Sequence, residues 1–436
     1  MTRKEICEFI NREMTLATGC TEPAAVALAA ATAREYMSAP IEKIEIHASS
    51  NMIKNVMAVH IPGIKSAGIE YAAALGSTGG QAARGLCVID AVTEEEVFAA
   101  KQLVQEGRVE TRCEPVCDRL FVSVKLWGAD GSTSRAEIAE MHTNIVCIEQ
   151  NGVCILKKET QEQQTAVQGT NLSIAQIYSF VEELDRSQDD LVMIEQAIKV
   201  NTRMMEEGKA KSYGLNVGGF LRKARERGFC EHSIVTAVVE DTASGVDARM
   251  AGANLPVVTN SGSGNQGITT TVPVLSAGAW LGCSEDKIFR AVTLSNLMAL
   301  YIHSGFGRLS GLCGATIAAT GAACGLLYLL DGNERQIGYA VNNMLGNISG
   351  ILCDGAKSDC ALKISTCLQA AFQCVFLAME DVGISAAEGI VESSPEKTIR
   401  NFNRLGNEGC AEMDNIILDI LINKQCSKKI KEPESV

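Results

Sequence analysis

No Cys-x-x-Cys pair occurs anywhere in the 436 residues, although the chain carries 17 cysteines. Zinc ribbons and thioredoxin-like redox sites rest on that spacing, so both classes lose their signature. The nearest approach, Cys113 and Cys117, lies in a strand-like stretch and reads as structural. Histidine is scarce as well: there are five, and none stands at a metal-site spacing from another histidine or a carboxylate. A basic excess is missing, since 39 Lys and Arg against 52 Asp and Glu leave a net charge of -13. That balance excludes nucleic acid and anionic membrane as the main partner and favours a small molecule. With no secretory leader in view, the thiols are expected to stay reduced in a cytoplasm, free or bound to metal, and not paired as disulfides. One uncharged run, Leu309 to Leu330, has the length of a membrane span, but Gly, Ala, Ser, Thr and Cys dominate it. A helix buried on all sides is expected there, with no membrane partner.

The chain is long enough for two or three packed units, and 46% hydrophobic residues with 39 glycines suit a large core rich in small residues. Residues 1–38 read as an N-terminal helical arm carrying Cys20. Ile6, Phe9, Ile10 and Met14 share one face of a helix over 4–16, and Thr21-Glu-Pro23 opens a second, alanine-rich one with Thr21 as its cap. Residues 39–157 form an α/β unit with strand-like pieces at Ile41 to His47, Phe121 to Trp127 and Val153 to Leu156, and a helix over Thr93 to Glu106. A polar linker is expected at 158–172, a mainly helical catalytic domain at 173–425 and a charged, disordered tail at 426–436. The fold class is α+β.

The densest chemical signal is Cys353-Asp-Gly-Ala-Lys-Ser-Asp-Cys360, preceded by Ser310-Gly-Leu-Cys313-Gly. Seven residues of continuous helix would part the first two thiols by about 10 Å, too far for neighbouring ligands of one compact cluster. Asp354-Gly355 supplies a break, and Ser358 or Asp359 can cap a helix that begins near Cys360. A helix N-terminus favours negative charge and so favours thiolates. Cys313, Cys353 and Cys360 can thus hold three irons of a four-iron cluster and leave the fourth open. Cys367 and Cys374 continue the seven-residue rhythm down the helix as core sulfurs. Cys20, at a helix start, is a further cluster ligand, a proton-moving thiolate or a buried small hydrophobe. Because an open iron needs three protein ligands and not four, Cys20 is better cast as the base.

Asn260-Ser-Gly-Ser-Gly-Asn-Gln-Gly267 contains a formal Gly-x-Gly-x-x-Gly after the strand-like Leu255 to Thr259. A dinucleotide site needs a long helix next, and the β-branched, proline-broken Ile268 to Pro273 argues against one. The loop suits a carboxylate instead, with Ser261, Gly262, Ser263, Asn265 and Gln266 as partners, or is a polar turn between helices. Lys54 and Asn55 reach a substrate carboxylate or are ordinary solvated residues, and Arg249 carries the same ambiguity. Lys357 and Lys363 flank the thiol segment and either balance its charge or offer a Schiff-base amine. His303 is the one histidine near a motif.

Taken in order, Thr18 to Pro23, Asn260 to Gly267, Gly307 to Gly314 and Cys353 to Lys363 resemble the L-cysteine desulfidase (UPF0597) family, related to the α-domain of iron-sulfur L-serine dehydratases. The resemblance covers roughly residues 16 to 410. It implies an oxygen-labile [4Fe-4S] cluster on Cys313, Cys353 and Cys360, proton abstraction by Cys20, and conversion of L-cysteine to pyruvate, ammonia and sulfide. The open iron would bind the substrate carboxylate and β-thiol. Two departures stand out: Asp359 occupies the place of a small residue before the last thiol, and nothing resembles the β-domain of the serine dehydratases. The alternatives are an L-serine dehydratase on the same cluster, a pyridoxal-phosphate lyase using Lys357 or Lys363, and a cysteine-rich redox sensor that turns nothing over. The expected partners are a small amino acid and, at most, a second copy of the chain as a homodimer.

Overall fold

Alternation decides the first layer. Along Ile41–Ala48 the side chains of Ile44, Ile46 and Ala48 are fully buried while Glu45 and His47 point away, the two-residue period of a half-covered strand. The computed structural model describes residues 1–57, 59–64, 66–114, 120–158, 170–306 and 311–429. Its chain order begins with α1 (Arg3–Glu13), β1 (Leu16–Thr18), α2 (Thr21–Arg34), β2 (Ile41–Ala48), α3 (Ser50–Val56), α4 (Ile69–Gly79) and α5 (Glu94–Gln105). Strands β3 (Val109–Cys113), β4 (Phe121–Gly128), β5 (Thr133–Ala139), β6 (Ile145–Gln150) and β7 (Val153–Lys157) follow. They form a six-stranded sheet in the order β3-β2-β4-β5-β6-β7, antiparallel except for β2 and β3. Helix α2 lies across β4 and β5, and α4 packs on α2.

The remainder is helical: α6 (Ile174–Glu182), α7 (Val192–Ala210), α8 (Val217–Glu226), α9 (Ile234–Met250), the short β8 (Pro256–Val258), α10 (Gly264–Leu281), α11 (Glu285–His303) and α12 (Gly314–Leu329). Then come α13 (Glu334–Asn347), α14 (Cys360–Met379), α15 (Pro395–Arg404) and α16 (Ala411–Lys429). The architecture is α+β. The linker residues 159–169, Cys117, the Gly307 to Ser310 part of one motif and the tail residues 430–436 lie outside the described residues. The backbone of α16 runs to Lys429, past Cys426, where a tail was expected to start.

Two apolar cores result, and the N-terminal arm is divided between them. Ile6, Phe9, Ile10 and Met14 of the first helix belong to the helical core, whereas Ala25 to Ala33 of α2 cover the sheet. The turn carrying Cys20 therefore crosses from one core to the other. Helix α12 is buried along nearly its whole length, in keeping with its small residues. Helix α14 is long and apolar enough to cross a membrane by length and composition. Its Ile364, Cys367, Leu368, Phe372 and Val375 are packed in the helical core.

One expectation fails. Residues 264–281 do form a long helix in spite of three threonines, Val272 and Pro273. Burial explains this, because Ile268 to Val274 are sealed among neighbouring helices and tertiary packing outweighs intrinsic propensity. Pro273 has no N–H to offer the carbonyl of Thr269, one turn back, and Ser295 of α11 ties the same turn to its neighbour, its Oγ donating to Thr270 O at 2.6 Å. The dinucleotide reading still lacks its frame: β8 pairs antiparallel with β1 in a two-stranded ribbon, not in a parallel βαβ sheet.

Candidate functional site: a thiol-lined cavity at four helix starts

Cys20 and Cys313 occupy the N-cap positions of α2 and α12, Cys360 is the first residue of α14, and Ser263 caps α10. Cys20, not Thr21, is the residue at the boundary. Neither Cys20 nor Cys313 makes a side-chain cap bond, so both sulfurs are left to face the space between the helices. Asp359 stands at the N-cap of α14 without a capping bond and lies 3.5 Å from Lys357 Nζ.

Cys353 reaches the same space from a loop. The chain forms a short antiparallel bridge between Leu312 and Leu352, in which Cys313 N–H donates to Ile351 O (2.8 Å) and Cys353 N–H to Gly311 O (2.9 Å). Two thiols distant in sequence are thereby set side by side. Gly355 then turns the loop at φ +98°, and a Cβ there would come 2.8 Å from Lys54 O, so only glycine fits. The loop rests on α3, where Lys54 Nζ donates to Cys353 O (3.3 Å) and to Asp414 Oδ1 of α16 (2.6 Å). Asp354 is clasped by Lys357 and by Lys363. Burial would raise its carboxyl, but the two lysines hold it down at about 2. Both lysines are thus engaged by a neighbouring carboxylate, which weakens the Schiff-base reading.

A cavity of about 100 Å³ brings these groups together, lined by Cys20, Cys313, Cys353 and Cys360 with Thr21, Glu22, Asn55, Arg249, Ser263, Asn265 and Gln266. Of the residues expected to hold substrate, Asn55, Ser263, Asn265 and Gln266 are in its wall; Lys54, Ser261 and Gly262 are not. Lys54 is turned to Asp414. Ser261 (φ +52°) and Gly262 (φ +81°) form the tip of a tight two-residue turn closed by Asn260 and Ser263, with Ser261 Oγ donating to Asn260 Oδ1. His303 lies beside Phe306 and outside the cavity wall.

The expectation of thiolates at helix starts is reversed in the protein alone. Burial pushes the Cys313 thiol well up, and nearby Cys353 and Cys360 push further. Cys360 is raised to about 11, by burial first and then by Cys353 and Cys20. Burial also raises Cys20, against the pull of Arg249. Desolvation of a charge outweighs a partial helix dipole. Among the described residues no group of three or more His, Cys, Asp or Glu side chains converges on one point for a single ion. A four-iron cluster asks for something else, thiols spread around its corners. Three thiols in one small wall, close enough to perturb one another, fit that demand.

The family model for the serine dehydratase alpha chain matches residues 83–419. A UPF0597 protein of Oleidesulfovibrio alaskensis is 39% identical over 420 residues, covering 96% of this chain and 97% of the relative. One of Parabacteroides distasonis is 39% identical over 428 residues (97% and 99%), and the UPF0597 protein YhaM of an Escherichia coli O127:H6 strain is 38% identical over 423 (95% and 96%). The chain belongs to the UPF0597 family. Membership ties it to a lyase-type family, the α chain of serine dehydratase, a group associated with iron-sulfur enzymes. Sequence reading of this UPF0597 chain missed Glu22, taken only as part of a helix start, and left Arg249 undecided between surface and site. The position of Glu22 beside Cys20 was the available signal. For Asp414, 360 residues from Lys54, the sequence offered none.

Proposed function

We propose that this UPF0597 protein is a lyase that carries out β-elimination on L-cysteine, giving pyruvate, ammonia and sulfide. The carrying observation is the shared wall of Cys313, Cys353, Cys360 and Cys20. The first three would hold a [4Fe-4S] cluster, which when bound supplies a Lewis acid for the departing sulfur. Asn55, Ser263, Asn265 and Gln266 present amide and hydroxyl groups that bind and orient a small polar substrate. Cys20 takes the α-proton; the Cα–H electron pair becomes the Cα–Cβ double bond, and the Cβ–S pair leaves with sulfur as hydrosulfide. The released aminoacrylate tautomerises to an imine, and water hydrolyses it to pyruvate and ammonia. The positive charge of Arg249 beside Cys20 favours the thiolate that this step requires.

L-Serine is the second reading, favoured by the description of the matching family model. Against it, among the described residues no histidine lines the cavity, and Glu22 is engaged by Asn55 and Thr21. Hydroxide is a strong base and a poor leaving group that depends wholly on a proton donor or on the Lewis acid a bound cluster would supply, whereas hydrosulfide asks less of either. A reducing, cytoplasmic setting belongs to the same proposal, since a [4Fe-4S] cluster would need Cys313, Cys353 and Cys360 as reduced thiolates.

The deciding experiment is anaerobic reconstitution with iron and sulfide, followed by iron counting and parallel pyruvate assays on L-cysteine and L-serine. Iron-dependent pyruvate from cysteine supports the proposal; preference for serine would replace it with the second reading. Full iron loading with no product from either would point to a sensor, and activity without iron would end the cluster reading.

A further inference from the structure

Arg249 stands in the last turn of α9, only 4% exposed, in the wall of the cavity. A guanidinium cannot give up its proton, so this is a permanent buried charge. Among the described residues no carboxylate lies within ion-pair distance of it. Its contacts carry no formal charge: Nη1 donates to Asn265 Oδ1 (2.8 Å) and Met250 Sδ (3.6 Å), Nη2 to Gly19 O (3.0 Å), the guanidinium also reaches the Cys20 thiol, and Nε has no partner. The group is held deliberately close to α10, because a Cβ on Gly264 would come 2.3 Å from Nε. A buried, unpaired cation is costly unless a ligand completes it.

Glu22, in the first turn of α2, is the complement. Its Oε1 accepts from Asn55 Nδ2 (3.0 Å) and its Oε2 from Thr21 Oγ1 (3.1 Å), and no cation pairs with it among the described residues. Two buried acceptors without donors, Asn55 Oδ1 and Gln266 Oε1, line the same cavity. The wall thus offers one cation, one anion and spare acceptors, with Cys20 close enough to feel both charges.

We propose that Arg249 and Glu22 bind the two ends of an α-amino acid, the guanidinium taking the carboxylate and Glu22, with Asn55 Oδ1 and Gln266 Oε1, taking the ammonium. The carbon that carries both groups is Cα, so this placement brings it into the part of the cavity that Cys20 shares with both charges. The assignment deepens the β-elimination reading and rests on it for the substrate class.

The test separates the two ends with two thiols: 3-mercaptopropionate, which has the carboxylate but no ammonium, and cysteamine, which has the ammonium but no carboxylate. Binding to the anaerobically reconstituted full chain is measured by calorimetry, with iron counted in every sample. Arg249→Gln should weaken 3-mercaptopropionate about ten- to a hundredfold and leave cysteamine within about twofold; Glu22→Gln should do the reverse. Arg249→Lys, which keeps the charge but loses the fork, should fall between, and serves if Arg249→Gln does not fold. Equal weakening of both thiols in either variant, or failure of the unaltered protein to bind either, overturns the pair. Iron loss from Arg249→Gln also overturns it, since the cation would then serve the cluster. A crossed pattern with no pyruvate from cysteine would leave the pair standing and remove the desulfidase reading alone.

Discussion

Along α12 and α14, Cys313 and Cys360 stand at the helix starts and line the cavity, whereas Cys324, Cys367 and Cys374 lie about two to four turns further on, sealed in the helical core. The residue type is the same and the helices are the same. At the start, the thiol borders a space shared with a loop and three other helix ends; further in, it is surrounded by apolar side chains and acts as a small hydrophobe. Position along the helix, and not cysteine content, separates candidate chemistry from packing.

The sharpest way to break this comparison is to remove one sulfur from each population. Cys353→Ala should lose stoichiometric iron and all pyruvate release, while Cys367→Ala should keep both and cost about 1 kcal/mol of stability through a small cavity. Equal iron loss in the two variants would erase the distinction. Next in size is Cys20→Ser, expected to retain iron and lower turnover about 10²- to 10⁴-fold. Iron loss there would move Cys20 from base to ligand.

The support beneath the thiols gives a smaller effect. Asp414→Ala leaves Lys54 charged and unpaired at 3% exposure, which should cost about 3–5 kcal/mol and lower the thermal midpoint. Because Lys54 also holds Cys353 O, iron should be retained less well. A double change to Lys54→Met and Asp414→Leu should recover most of the stability, and failure to recover any would mean that the hydrogen bonds of Lys54, and not an uncompensated charge, carry the effect.

The smallest expected effect is alkaline. Burial raises the Cys324 and Cys367 thiols to about 12 each, above their ordinary 9.0. The folded chain then holds protons that the unfolded chain releases, so their contribution is complete below pH 9 and is lost as pH rises toward 12. The thermal midpoint of the iron-free protein should fall between pH 9 and 10.5, and Cys324→Ala should flatten that fall. An unchanged slope would mean that other groups govern it.

Much of this was legible in the chain, and the legible part was local. The strand at Ile41–Ala48, the helix that starts at Thr93, the glycine break between Cys353 and Cys360 and the helix that begins at Cys360 all follow from residues within a few positions of one another. The α10 helix through Pro273 was not, because its stability comes from burial among helices distant in sequence. Nor was the protonation of the thiols, since the dipole of a helix start is a local property and desolvation is not.

The sequence by itself determined most of the candidate thiols and several of the helix starts, because periodicity, glycine and proline act over one or two turns. Only the tertiary structure decided which of them meet. It paired Cys313 with Cys353 through a bridge between two loops, turned Lys54 away from the cavity to Asp414, and set Arg249 and Glu22 within electrostatic reach of Cys20. Those pairings depend on how two cores pack across one seam, and that packing is a sum over contacts that no short stretch of chain contains.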